Sequence, residues 1–149
     1  MHALDFDYMA GLVPILLGYL PLTLGMAAAG MICALLLSCL LAVIRVSRVP
    51  GLNGAALLFI SFFRGTPLLV QLFLFYYGLP QVFSFLVSIN GITATIMGLT
   101  LHFSAYMAES IRAAIIGIDR SQTEAALSIG MTRAQLMRRI ILPLSLIHI

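Results

Sequence analysis

A chain of 149 residues that is 62% hydrophobic and 9% charged, with a mean hydropathy of +1.11, is not built as a soluble domain, which carries roughly 25% charged residues. All eight basic residues are arginines. The net charge of +3 and a pI near 9.2 do not mark a nucleic-acid binder, because these arginines gather at the ends of apolar runs.

The opening MHALDFDYMAG holds two aspartates and no lysine or arginine. A secretory signal starts basic and ends in a small-residue cleavage site, so the first apolar run is expected to stay as a membrane helix. That run, residues 20–44, is free of charge and closes on Arg45 and Arg48. About 20 apolar residues cross a bilayer core of about 30 Å, so it suffices as a span. Gly30, Ala34, Ser38 and Ala42 recur every fourth residue and predict a small-residue face for close helix packing. Cys33 and Cys39, six residues apart, are separated by roughly 9 Å of helical rise, whereas a disulfide needs Cα atoms within about 7 Å. They read as packing residues.

A basic turn, RVSRVPGLNG, leads to a second apolar stretch, residues 55–77, interrupted by FRGTP. Pro67 lacks a donor and constrains its predecessor, which predicts a break there, with an interfacial segment before it and the main span after it. GLPQVFSFLVSINGI is a charge-free loop, and a third span is expected at residues 92–116. Arginines flank the spans on one side only, and the N-terminus and the 78–91 loop hold none. The N-terminus is therefore expected outside and residues 117–142 in the cytoplasm.

That cytoplasmic segment reads as a helical hairpin. Ser121 and Glu124 fit a capping box, Gly130 a left-handed terminus, and Thr132 with Gln135 a second box opening a helix towards Pro143. A DNA-reading helix-turn-helix needs supporting helices and a free reading face, and neither is available beside a membrane span. Docking to a cytoplasmic partner remains.

Here EAALSIGMTRAQLMRRIILP (residues 124–143) resembles the EAA signature of ABC importer permeases. FFRGTPLLVQLFLFYYGLP, YMAESIRAAI and the early LLGYLPLTLGMA are similar to segments of the polar amino acid permeases of histidine and glutamine type, in the same order along residues 4–143. The resemblance implies an all-α integral membrane protein with the type I ABC importer (MetI-like) permease fold, in a bacterial inner membrane. It implies that Glu124, Ala125, Ala126 and Gly130 contact a separate ATPase subunit, which binds the ATP and Mg, so this chain needs no cofactor of its own. Further implied partners are a second permease subunit, identical or paralogous, an extracytoplasmic substrate-binding protein and a polar amino acid. Ala113 and Ser121 stand where the family commonly has glycine, which leaves the coupling role intact.

Within the third span, Glu109 and Arg112 are expected to pair on one face, either lining a gate or anchoring the helix at the interface. His102 and Tyr106 share that face, and Gln71 sits in mid-span; these are candidates for a translocation route or for hydrogen bonding between helices. No Walker loop, metal-ligand cluster or nucleophile–base set is visible, so the chain is not expected to be an enzyme. The closing LSLIHI resembles a translated sequencing adapter. The expectation is that residues 144–149 are non-native, leaving three of the usual five core helices, a piece that does not transport by itself. The competing reading is a non-transporting membrane fragment or anchor.

Overall fold

A computed structural model of the protein describes residues 6–84 and 87–147. Residues 1–5 and the last two of the expected non-native tail lie outside it. Within the described residues the chain is helical throughout: α1 (Phe6–Ser47), α2 (Leu52–Gly65), α3 (Leu68–Phe73), α4 (Leu79–Val82), α5 (Gly91–Ile116), α6 (Arg120–Ser128), α7 (Arg133–Leu136) and α8 (Leu142–Ile147).

α1 has 42 residues, a length of about 63 Å. It contains the expected 20–44 run and begins well before it, passing through Pro14 and Pro21 without a break. The small-residue stripe is a packing face. Gly30, Ala34, Ser38 and Ala42 are all buried, and a Cβ on Gly30 would stand 2.9 Å from Leu99 Cβ. This close approach seats α5 along α1. Leu36 of α1 and Leu58 of α2 are 70% and 74% exposed, an apolar exterior suited to lipid.

The second apolar stretch is not one straight span. α2 and the α3–α4 segment pass the length and apolarity needed for a crossing only as a pair, bent by 107° at Thr66–Pro67. The break falls where Pro67 predicts it. Two π-helical turns, Leu74–Gly78 and Met137–Ile141, each end two residues before a proline, Pro80 and Pro143. A proline ring clashes with the carbonyl four residues back and supplies no donor; a wider turn just upstream accommodates both defects.

α5 matches the third expected span nearly end to end. Asn90 caps it by accepting the Thr93 N–H at 2.8 Å. It has the length of a crossing but less apolarity than α1, which alone among the described residues qualifies as a single unbent helix. Its position accounts for this: α1, α2 and α3 pack around it, so Ser104 is buried and Thr95, Thr100 and His102 are half-buried among them. One apolar cluster joins Leu41, Ile60, Phe63, Phe75 and Ala105. A second joins Ala42, Ile111, Ile115, Ala126, Leu136 and Ile141, fixing the polar hairpin to the ends of α1 and α5.

Candidate functional site

The hairpin begins two residues earlier than its sequence suggests. Asp119, not Ser121, is the N-cap of α6, and its Oδ1 accepts the Ser121 N–H at 2.8 Å. Ser121 is thus the second helical residue and supplies a donor instead of receiving one. The carboxylate caps as well as a hydroxyl does and adds charge complementarity to the helix N-terminus. That hydrogen bond holds the Asp119 carboxyl below its usual 3.8.

At the other end Gly130 adopts φ +80°. Its N–H reaches Leu127 O at 3.0 Å and the Met131 N–H reaches Ala126 O at 3.1 Å, the paired bonds of a Schellman ending. A Cβ at Gly130 would meet nothing within 4 Å, so glycine is there for its backbone freedom. Thr132 then caps α7 as expected: Gln135 Oε1 accepts the Thr132 N–H at 2.9 Å, and Thr132 Oγ1 accepts the Gln135 N–H at 3.3 Å.

The four residues of the expected contact surface separate. Glu124, Ala125 and Gly130 are exposed. Ala126 is 2% exposed and belongs to the second apolar cluster, because one face of α6 must seat the hairpin on α1 and α5. The outward face instead carries Leu127 and Ile129 at 44% and 75% exposure. Apolar residues at these positions on an otherwise polar helix were the sequence signal for that face.

Glu109 and Arg112 pair as predicted: Arg112 Nε donates to Glu109 Oε2 at 2.8 Å, with Nη2 also at 2.8 Å. The structure adds a third member. Arg45 Nε of α1 lies 3.5 Å from Glu109 Oε1, an ion pair whose geometry leaves that buried nitrogen without a hydrogen-bond acceptor. Arg45 Nη1 donates to Asn53 Oδ1 at 2.9 Å, so one carboxylate ties together the ends of α1 and α5 and, through Asn53, the start of α2. Arg45 had been legible only as a topology signal.

Gln71, His102 and Tyr106 form a separate seam. The last carbonyls of α2 have no helical partner, and in a bilayer no water serves them. Thr66 Oγ1 donates to Phe62 O at 2.9 Å, Gln71 Nε2 to Phe63 O at 3.0 Å, and Tyr106 OH to Arg64 O at 3.3 Å. Gln71 Nε2 also lies 3.0 Å from Thr66 O and 2.6 Å from Thr66 Oγ1. With its nitrogen facing these oxygens, Gln71 presents Oε1 to His102 Nδ1 at 3.2 Å. His102 must therefore carry its proton on Nδ1. The His102 ring lies 5.0 Å from that of Tyr106, over which the Arg64 guanidinium sits at 5.4 Å. Among the described residues no hydrogen bond or ion pair links this seam to Glu109. Spacing on α5 had placed His102, Tyr106 and Glu109 on one face; the structure assigns them to two tasks.

Residues 28–149 match the family described as "Binding-protein-dependent transport system inner membrane component". The chain belongs to this family. The chain is 65% identical over 139 residues to the probable amino-acid ABC transporter permease protein PatM of Vibrio harveyi, covering 93% of the chain and 62% of that relative. It is 49% identical over 143 residues to the probable amino-acid permease protein YxeN of Bacillus subtilis, covering 96% and 64%. It therefore spans a little over three fifths of the length of these relatives. A solved structure of an amino acid ABC transporter with histidines superposes with a TM-score of 0.84 at 37% identity, over 97% of this chain and 66% of that one. The fold is that of a MetI-like permease, all-α, as the sequence resemblance implies.

Proposed function

We propose that this chain is the transmembrane, motor-coupled portion of an ATP-driven importer of polar amino acids. The observation that carries the reading is the hairpin of α6 and α7. It is fixed by a cap at each helix start and a Schellman turn between them, and it is anchored through Ala126 and Leu136 to Ala42, Ile111 and Ile115. A stiff lever rooted on α1 and α5 transmits displacement where a loop dissipates it. Glu124, Ala125 and Gly130, flanked by Leu127 and Ile129, are the outward surface for an ABC ATPase, which supplies ATP hydrolysis. Displacement of the hairpin acts next on the Arg45–Glu109–Arg112 junction, where α1, α2 and α5 meet, and so on access from the cytoplasm. The chain lies in the inner membrane with its N-terminus outside. It works beside a second permease subunit, identical or paralogous, and receives its amino acid from an extracytoplasmic binding protein.

Co-purification from membranes tests this. In the complete transporter the cognate ATPase is retained, and Glu124→Arg or Gly130→Asp releases it while the helical content stays unchanged. Retention of the ATPase and of ATP-coupled uptake in both variants refutes the coupling assignment and favours the membrane-anchor reading.

A further inference from the structure

Beside the Glu109 junction a recess of about 500 Å³ opens between the end of α1, the start of α2 and the end of α5. It is lined by Arg45, Arg48, Asn53, Arg112, Val46 and Ile116. Three guanidinium groups face it and the adjacent Glu109 neutralises only one charge. Arg112 has spent Nε and Nη2 on that carboxylate, and Arg45 has spent Nη1 on Asn53. Arg48 has no side-chain partner among the described residues, whereas the buried Arg45 Nε faces Glu109 Oε1 at 3.5 Å, so Arg48 and the remaining Nη groups are the donors the recess offers.

Forked guanidinium donors without acceptors match the oxygens of a phosphate ester. The apolar wall decides which ester. Ile116 is 60% exposed and continues the outer apolar surface, while Val46 is half-buried against the hairpin cluster; an exposed apolar wall serves a molecule with acyl chains and does nothing for a free anion. We infer that this recess binds the headgroup phosphate of an anionic glycerophospholipid of the inner leaflet. The lipid is held by Arg48, Arg45 and Arg112, and its chains lie along Ile116. Bound there, it bridges the three helix ends that the hairpin moves. The inference rests on the orientation proposed above, which sets these helix ends at the cytoplasmic surface.

Native mass spectrometry of the full chain in detergent, titrated with phosphatidylglycerol, phosphatidylcholine or inorganic phosphate, tests it. Phosphatidylglycerol is retained in preference to phosphatidylcholine, and Arg48→Gln weakens that retention about fivefold, the worth of one arginine near an anionic surface. Arg120→Gln, basic but outside the recess, leaves it unchanged. Equal retention of the two lipids, an Arg48→Gln variant that titrates like the parent, or displacement of the lipid by inorganic phosphate at equal concentration each overturns the inference. The two readings separate cleanly. If an Arg48→Cys variant, made with Cys33 and Cys39 both replaced by alanine, reacts with an impermeant thiol reagent from outside the cell, the orientation falls and both readings with it. If residue 48 faces inward and Arg48→Gln still titrates like the parent, only the lipid site falls.

Discussion

Replacing Gln71 with leucine isolates the bend between α2 and α3. The side chain is 1% exposed, and leucine nearly matches its volume, so the substitution deletes hydrogen bonds without opening a cavity. Gln71 Nε2 has two hydrogens for three oxygens, Phe63 O, Thr66 O and Thr66 Oγ1, while Oε1 serves His102 Nδ1. Removal strands the Phe63 carbonyl completely and leaves Thr66 O and His102 Nδ1 with partial access. A buried polar group left unmade costs about 1–3 kcal/mol, so these three together destabilise by about 2–4 kcal/mol once the leucine's own burial is credited. For a chain of this size that lowers the melting midpoint by at least about 5 °C. Gln71→Glu preserves shape but presents only acceptors to the three oxygens, and it melts no higher than the leucine variant unless it binds a proton. With no tryptophan in the chain and with Cys33 and Cys39 exposed, intrinsic fluorescence and thiol dyes are poor reporters; far-UV circular dichroism in detergent on heating is the assay. If Gln71→Leu melts within 1 °C of the parent, the seam is not what stabilises the bend.

Gly30→Ala sets a Cβ 2.9 Å from Leu99 Cβ, and because neither atom can swing away, overpacking costs about 1–3 kcal/mol. Leu99→Ala retains the offending atom and so fails to restore the melting temperature, whereas a rescue would show that the contact is merely side-chain crowding. Gly130→Ala meets no atom but must hold φ +80°, a cost of about 1–2 kcal/mol. It raises hydrogen exchange across α6 and α7, and Gly130→Asn, more tolerant of that conformation, raises it less. Thr132→Ala removes the acceptor for the Gln135 N–H and loses about 1 kcal/mol, read as faster exchange in the first turn of α7 alone. The Asp119 carboxyl, held below 3.8 by the Ser121 amide, contributes stability above its unfolded value and loses it as pH falls through its lower folded value. The Ser121 amide resonance should follow one titration centred below 3.8, absent in Asp119→Asn; a midpoint at or above 3.8 would remove the cap.

What could be read from the sequence was whatever one element decides by itself. The small-residue stripe on α1, the break at Pro67, the extent of α5, the Thr132–Gln135 box and the left-handed Gly130 each depend on residues within a few positions. So does the Glu109–Arg112 pair. The Asp119 cap was local too, and was missed only because Ser121 offered an equally good box two residues later. Charge at the helix N-terminus favours the aspartate. Ala126 was misassigned for a different reason. Its motif neighbours face outward, and only the docking of α6 against Ala42 and Ile115 shows that this alanine faces the other way.

The polar residues of the spans mark the limit of such reading. On α5 alone, His102, Tyr106 and Glu109 form one stripe and invite one function. Their partners come from 31 to 64 positions away: Gln71 for His102, the Arg64 carbonyl for Tyr106, Arg45 for Glu109. A broken helix in lipid exposes carbonyls that only protein can satisfy, so a sequence with Pro67 in a span must carry donors elsewhere to meet them. Gln71 and Tyr106 are those donors. Intramembrane polar groups therefore divide into those that answer a backbone defect and those that remain once every defect is answered. Among the described residues the charged junction of Arg45, Glu109 and Arg112 belongs to the second kind, and it stands where the hairpin meets α1 and α5.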